Sequence, residues 1–267
     1  MTIYDSIEQP VLLLDETRAR ANIAFMADKA ARNGVRFRPH FKTHQSAEIG
    51  TWFRPFGVTA ITVSSVEMGE YFASHGWDDI TIAFPVNLRQ IDRLNALAQQ
   101  IHIGLLVESV ESASFLAQRL KAPADIWIKI DVGSGRTGIP FNYPEKVFPI
   151  LDSLKSAPRL AVRGLLTHAG HTYGAGSQEE VRRIFRETQQ RLSMVRAFIQ
   201  PALQAALEIS VGDTPACSLV EDLTGVDEIR PGNFIFYDAE QYLWNTCRSD
   251  QIAVAVACPV VAVHPER

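Results

Sequence analysis

The chain has 267 residues, 46% of them hydrophobic and 21% charged, with a formal net charge of −4. That is ordinary globular composition for one or two domains, and a single α/β barrel needs about 250 residues. Mixed charge with no basic run excludes nucleic acid as the main partner. Cys217, Cys247 and Cys258 are too scattered for a disulfide framework or a C-x-x-C metal site.

Short apolar or β-branched runs alternate with longer amphipathic stretches. Ahead of that alternation, Pro10–Asp15 reads as an additional strand and Thr17–Asn33 as a helix bearing Asn22, Ile23, Phe25 and Met26. The candidate strands that follow are Val35–Arg38, Ala60–Ser64, Ile80–Phe84, His102–Val107, Asp125–Asp131, Val162–His168, Leu207–Val211 and Glu228–Arg230. Helical patterns lie between them at Ser65–His75, Asn87–Gln100, Ser109–Leu120, Pro144–Ser156 and Gln178–Phe198. Asn87 and Ser109 are helix caps, and the first of these helices carries Ile91, Leu94, Leu97 and Ala98 on its core face. Strands alternating with helices imply βαβ units and a parallel sheet. Eight of them point to a closed (β/α)8 barrel, with an open doubly wound sheet as the alternative.

After Tyr237 the pattern changes. Ile252–Val263 is a continuous apolar run that belongs to no further βα unit. The expected division is therefore a barrel over 1–240 and the first strand of a β-domain over 241–267. Those twelve residues are too few for a spanning helix, which needs about 20. Met1–Ser6 lacks the basic and apolar regions of a signal peptide, so a cytoplasmic protein is expected.

The densest chemistry is Arg38-Pro-His40-Phe-Lys42-Thr-His44, at the end of the first barrel strand. A lysine flanked by histidines is suited to reaction, because neighbouring cations or burial free its amine for Schiff-base formation. A solvated basic loop is the plainer reading of the same residues. Gly133-Ser-Gly-Arg136-Thr-Gly138 matches G-x-G-x-x-G formally. A dinucleotide site needs a helix opening directly on those glycines, and Ile139-Pro-Phe-Asn-Tyr-Pro intervenes. Arg136 is the more useful residue, a cation on a glycine turn at a strand's C-terminal end, where barrel active sites lie.

Thr167-His168-Ala-Gly-His171-Thr-Tyr173 places imidazole and phenol after the next strand. His171, further out, reads as a histidine satisfied by the backbone. Ser210-Val-Gly212-Asp-Thr214-Pro and Arg230-Pro-Gly232-Asn233 follow the last two strands and offer glycines, a hydroxyl and backbone N–H groups to an anion. A phosphate opposite a reactive lysine describes pyridoxal phosphate.

These motifs, with Asp131-Val-Gly-Ser-Gly-Arg136-Thr-Gly138 and Arg230-Pro-Gly-Asn-Phe-Ile-Phe-Tyr237-Asp, occur in order from Pro10 to Arg267. In them the chain resembles the D-threonine aldolase and eukaryotic-type D-serine dehydratase family. These are fold-type III pyridoxal-phosphate enzymes with a barrel of the alanine racemase N-terminal class. The resemblance implies a lyase of D-3-hydroxy amino acids with the cofactor on Lys42. It implies Arg136 near the phenolic oxygen, His168 against the ring with Tyr173 nearby, and Arg230 towards the pyridine nitrogen. Gly212, Thr214, Gly232 and Asn233 would hold phosphate.

The family's motifs do not separate aldolase from dehydratase, and a racemase or a non-catalytic pyridoxal-phosphate carrier are the alternatives. The resemblance also implies a homodimer. It further implies a C-terminal β-domain whose His-x-Cys or His-x-Asp pair binds a divalent metal. No residue of this chain matches that pair, since His264 is followed by Pro265-Glu-Arg267.

Overall fold

The computed structural model describes residues 3–265. The stretches Met1–Ser6 and His264–Arg267 therefore fall partly on Met1, Thr2, Glu266 and Arg267, which lie outside the described residues.

Strand β1 (Val11–Leu14) and helix α1 (Glu16–Arg32) precede the barrel, with Asp15 capping α1 by accepting from the Arg18 amide. The barrel begins with β2 (Arg36–Phe37), followed by α2 (Ala47–Thr51), β3 (Ile61–Val63), α3 (Val66–Ala73) and β4 (Asp79–Pro85). It continues through α4 (Ile91–Ala98), β5 (His102–Val107), α5 (Val110–Arg119) and β6 (Ala124–Asp131). A two-residue strand, β7 (Ile139–Pro140), pairs with the end of β6 before α6 (Val147–Leu154) and β8 (Leu160–Leu166). The long α7 (Gln178–Ile199), β9 (Glu208–Val211), α8 (Thr214–Leu219) and β10 (Glu228–Ile229) complete it, and α9 (Ala239–Leu243) and β11 (Val254–Ala257) follow.

The sheet runs in the order β2-β10-β9-β8-β6-β5-β4-β3, with parallel pairing throughout. Its two ends meet. His40 bridges Thr62 in parallel, the Phe41 amide donates to the Thr62 carbonyl at 2.9 Å, and the Thr62 amide donates to the Pro39 carbonyl at 2.9 Å. The eight strands expected from the sequence are thus the eight staves of a closed barrel, and the open-sheet alternative falls away.

Period-2 alternation sorts the staves. On β6, Ile126, Ile128 and Ile130 belong to the large core beneath the helices, whereas Trp127 packs inside the barrel with Leu106 and Leu166. Lys129 has the same parity as Trp127 and so shares its inward face. Ser109 caps its helix as expected, accepting from the Ser112 amide, and Ser65 and Ser177 do the same for the amides of Met68 and Glu180. Asn87 caps the 3-10 turn Leu88–Gln90 that leads into α4, rather than α4 itself. Ile91, Leu94, Leu97 and Ala98 are buried as anticipated.

The apolar run at Ile252–Val263 is a strand only over Val254–Ala257. It pairs antiparallel with β1, from Val11↔Ala257 to Leu14↔Val254. Its partner offers four residues between Pro10 and Asp15, and Pro259 has no N–H with which to extend the ladder. Val260, Val261 and Val263 are exposed beyond it.

One buried cation ties the first helix to the far side of the barrel. Lys29 is fully buried, and its Nζ donates to the carbonyls of Cys217, Ser218 and Val220 at 3.1, 2.8 and 3.2 Å. These are orphan carbonyls at the C-terminal end of α8, where positive charge also complements the helix dipole. Burial lowers the Lys29 pKa, opposed by Glu221. Lys29→Met keeps the apolar stem but leaves the carbonyls unpaired. It is expected to lower the free energy of unfolding by about 2–3 kcal/mol, read from the urea midpoint. An unchanged midpoint would mean that α8 is held otherwise.

Candidate active site

The C-terminal ends of all eight staves surround a cavity of about 250 Å³. Its wall includes Lys42, Lys129, Arg136 and Arg230, together with His40 and His168. No acidic side chain of the described residues lines it.

Lys42 is delivered by a tight turn. The Gln45 amide closes back on the Phe41 carbonyl at 3.0 Å, and Gln45 adopts a left-handed φ of 48°. Phe41, fully buried, anchors the turn against Phe53, Phe72 and Trp77, with ring centroids 4.9, 5.0 and 5.1 Å away. With Phe41 directed into this aromatic cluster, its neighbour Lys42 lies in the cavity wall. The lysine remains accessible through the cavity mouth. Burial of its other faces, then Arg136 and Arg230, lowers its pKa from the ordinary lysine value.

His40 underlies the same turn. Its Nδ1 accepts the Lys42 amide at 3.4 Å, which places the ring proton on Nε2. Burial and then Lys42 push its pKa well below the usual histidine range. His168 is the mirror case. Its Nδ1 must donate to the Gly212 carbonyl, leaving Nε2 unprotonated, and burial pushes its pKa down to about 4. His44 also falls to about 4 through burial.

Among the described residues, the Nζ atoms of Lys42 and Lys129 and the Arg136 guanidinium have no hydrogen-bond or ion-pair partner. Lys129 is almost fully buried, and its pKa falls to about 7. Burial is the main cause, with Arg230 next, against Asp131 and Glu108. Two lysines and an arginine without hydrogen-bond or ion-pair partners around one cavity can receive an anion, whose charge would favour the protonated lysines.

Lys42, Arg136, His168, Gly212 and Arg230 line this cavity, and Tyr173, Thr214, Gly232 and Asn233 lie outside its wall. The Tyr173 hydroxyl accepts the Thr214 amide at 3.1 Å, and its ring stands 6.1 Å from His168. The Thr214 hydroxyl is fully buried without a partner. Asn233 is turned away, donating its side-chain amide to Asp238 at 2.7 Å. Asp213, within the expected anion cup, instead caps α8 by accepting from Ala216, and also accepts from the Thr172 hydroxyl. Burial raises its pKa to about 6.

The two glycines are required by close approach. A Cβ at Gly212 would lie 2.8 Å from Arg230 backbone atoms, and one at Gly232 would lie 3.0 Å from the His40 carbonyl. At the G-x-G-x-x-G segment, Asp131 accepts from the amides of Gly133, Ser134 and Gly135, and no helix opens there. The glycines serve that turn. His171 keeps a buried Nδ1 without a partner and lies outside the cavity wall, so the backbone bond expected of it is not made.

Sequence reasoning missed Lys129. It is hidden in the strand Ala124–Asp131, and the only signal was a charge in a run otherwise rich in isoleucine. It also passed over Glu228 and Asp79, and placed Ser210 in an anion cup, whereas its hydroxyl bonds Glu228 and Arg230.

A parallel eight-stranded barrel with a reactive-type lysine and an anion-receptive cavity at its C-terminal mouth defines the class. The alanine racemase, N-terminal domain profile matches residues 14–240, and the chain belongs to that family. D-threo-3-hydroxyaspartate dehydratase of Delftia sp. (strain HT23) is 29% identical over 270 residues, covering 98% of this chain and 70% of that protein. D-serine dehydratase of Dictyostelium discoideum is 28% identical over 292 residues, covering 98% and 71%. The solved structure of the Delftia sp. HT23 dehydratase superposes with a TM-score of 0.89 at 26% identity, covering 96% of this chain and 68% of that one. Alanine racemase from Bacillus anthracis, at 15% identity and a TM-score of 0.74, shares the fold.

The neutral histidines make stability acid-sensitive. The unfolded chain protonates them near pH 6.5, whereas folded His44 and His168 stay neutral down to about 4. Between these values the unfolded state binds more protons. Their contribution is fully present above pH 6.5 and is lost as pH falls towards 4. Each histidine then costs about 1.4 kcal/mol for every pH unit crossed in that window. Urea unfolding from pH 7 to pH 4 is expected to show that fall, and His168→Gln to flatten it. An equal slope in the variant would contradict the assignment.

Proposed function

We propose that this protein binds pyridoxal phosphate on Lys42 and acts as a lyase of D-3-hydroxy amino acids. The observation that carries the reading is a partnerless lysine of lowered pKa beside Arg136 and Arg230, in a cavity without acidic residues. The buried hydroxyl of Thr214, which has no hydrogen-bond partner, is the donor available to a phosphate on this side of the site. The names of the relatives, dehydratases and aldolases of D-hydroxy amino acids, supply the substrate class.

Bound there, pyridoxal phosphate supplies an electron sink for negative charge developing at the substrate's α-carbon. The protein's own residues have separable tasks. Lys42 would hold the cofactor through its amine and, when free, would be the base available for the substrate's α-proton. Its lowered pKa suits that work at neutral pH. Arg136 would offer a fixed cation to the cofactor or to the substrate carboxylate. His168 offers an unprotonated Nε2 and a flat face to the ring, with Tyr173 behind it. Thr214, Gly212, Gly232 and Asn233 would hold the phosphate, and Arg230 would lie on the side of the pyridine ring. For Asn233 this requires release from Asp238.

Incubation with pyridoxal phosphate and borohydride is expected to leave a pyridoxyl group on the peptide containing Lys42. D-serine or D-3-hydroxyaspartate should yield a keto acid and ammonia, or D-threonine an aldehyde and glycine. Lys42→Ala should abolish labelling and turnover. Equal labelling of the variant, or none of the wild type, would defeat the proposal.

Residues 1–240 and 241–267 belong in this reading to the cofactor barrel and to the start of a β-domain. A divalent metal acts with that domain, and the working form is a cytoplasmic homodimer. Among the described residues no group of three or more His, Cys, Asp or Glu is arranged to hold a metal, and no helix is long and apolar enough to cross a membrane. Sedimentation velocity is expected to give twice the chain mass, and a monomer at micromolar concentration would overturn the dimer.

A further inference from the structure

Beneath the cavity, the barrel encloses a chain of charged side chains that the reaction itself does not require. Glu228 stands two residues before Arg230 on the last stave, so both side chains share one face of the strand. Glu228 is fully buried, and Arg230 is 3% exposed. The Ser210 hydroxyl lies between them. It donates to Glu228 Oε1 at 2.7 Å and accepts from Arg230 Nε at 2.6 Å.

The direction of this relay is forced. Ser210 has one proton, and an ionised carboxylate can only accept it. The hydroxyl lone pairs are then left for the arginine N–H. On its other side Arg230 donates through Nη2 to the Thr167 carbonyl at 2.6 Å. The guanidinium is thereby fixed on two edges while lining the cavity.

Glu228 is itself held ionised. Its Oε2 accepts from Arg38 Nε at 2.8 Å, and Arg36 Nε lies 3.5 Å away. Arg38 in turn grips Asp79 with two N–H groups, at 2.6 and 3.2 Å. The pKa of Glu228 stays lowered despite full burial, because Arg38 and the Ser210 hydroxyl outweigh desolvation.

We propose that Glu228 is the positioning residue for Arg230, setting through Ser210 the orientation and charge that this arginine presents to the group bound at Lys42. Only the identity of that group rests on the cofactor reading. A plain barrel brace would use the same contacts, so the test must read something a brace does not change.

Three variants separate the two. Glu228→Gln removes the charge at nearly constant shape. Ser210→Ala removes the relay but leaves both charges. Asp79→Asn strips Arg38 of its other carboxylate, on the side away from Arg230. Each is measured by urea midpoint, by pyridoxal-phosphate affinity, and by the pH profile of Lys42 labelling in the cofactor-free protein. A small amine reagent with mass-spectrometric readout serves for labelling.

Glu228→Gln and Ser210→Ala should each weaken cofactor binding about tenfold. Glu228→Gln should also move the Lys42 labelling midpoint to lower pH by about half a unit to one unit, since a negative charge is lost behind Arg230. Asp79→Asn should lower only the urea midpoint. The proposal is overturned if Glu228→Gln changes stability alone, or if Asp79→Asn reproduces its effect on labelling. Should Glu228→Gln fail to fold, unchanged affinity in folded Ser210→Ala overturns it equally. Wild type that labels normally at Lys42 but binds no pyridoxal phosphate would defeat the cofactor reading, and the labelling profiles would still decide the role of Glu228.

Discussion

The backbone hydrogen bonds between residues 39–41 and Thr62 are the constraint on which both fold and site depend. They join the first stave to the second and convert a curled sheet into a closed barrel. The next residue along the same segment is Lys42. The Thr62 hydroxyl adds a bond to the Arg38 carbonyl at 2.9 Å, which fixes the stave at the point where Arg38 turns inward. Barrel closure and lysine placement are one local event. The aromatic cluster around Phe41 locks the turn above it.

Electrostatics beneath and around the mouth are arranged in two layers. In the lower layer every arginine has an acidic or hydroxyl neighbour: Arg38 with Asp79 and Glu228, and Arg230 with Ser210. In the upper layer Lys42, Lys129 and Arg136 make no hydrogen bond or ion pair among the described residues, although Asp131 and Glu108 lie near enough to Lys129 to oppose the fall in its pKa. Burial alone would depress a lysine pKa, but at Lys42 the two arginines act with it. The satisfied lower layer holds Arg230 rigid. The unsatisfied upper layer leaves its charge for whatever enters the cavity.

The barrel was legible because its signals are local and periodic. Most of the eight staves coincide with short apolar runs, and the Ser109 cap marks where α5 begins. Lys42 and Arg136 stood out because loops after strands have little reason to carry such patterns otherwise. Lys129 was concealed because an inward position on a barrel strand looks, in sequence, like a slip in a buried run. The Glu228–Ser210–Arg230 relay joins residues on neighbouring staves through a parallel register that no single strand reveals. The last strand was overread for a related reason. Apolar content continues to Val263, but strand length is set by the four residues β1 can pair.

The same charges bear on the order in which the protein acquires its partner. In the empty cavity burial and the neighbouring arginines disfavour the charged forms of both lysines, lowering the pKa of Lys42 and bringing that of Lys129 to about 7. An anion that enters favours those charged forms in groups already in place, so little of its binding energy goes into rearranging the wall. Binding to the folded state alone then stabilises it by mass action. A site built this way is weakest when empty. Closure of the barrel at Thr62 and the buried Arg38–Glu228 layer must therefore be sufficient before any ligand arrives, which is why the paired charges lie below the unpaired ones.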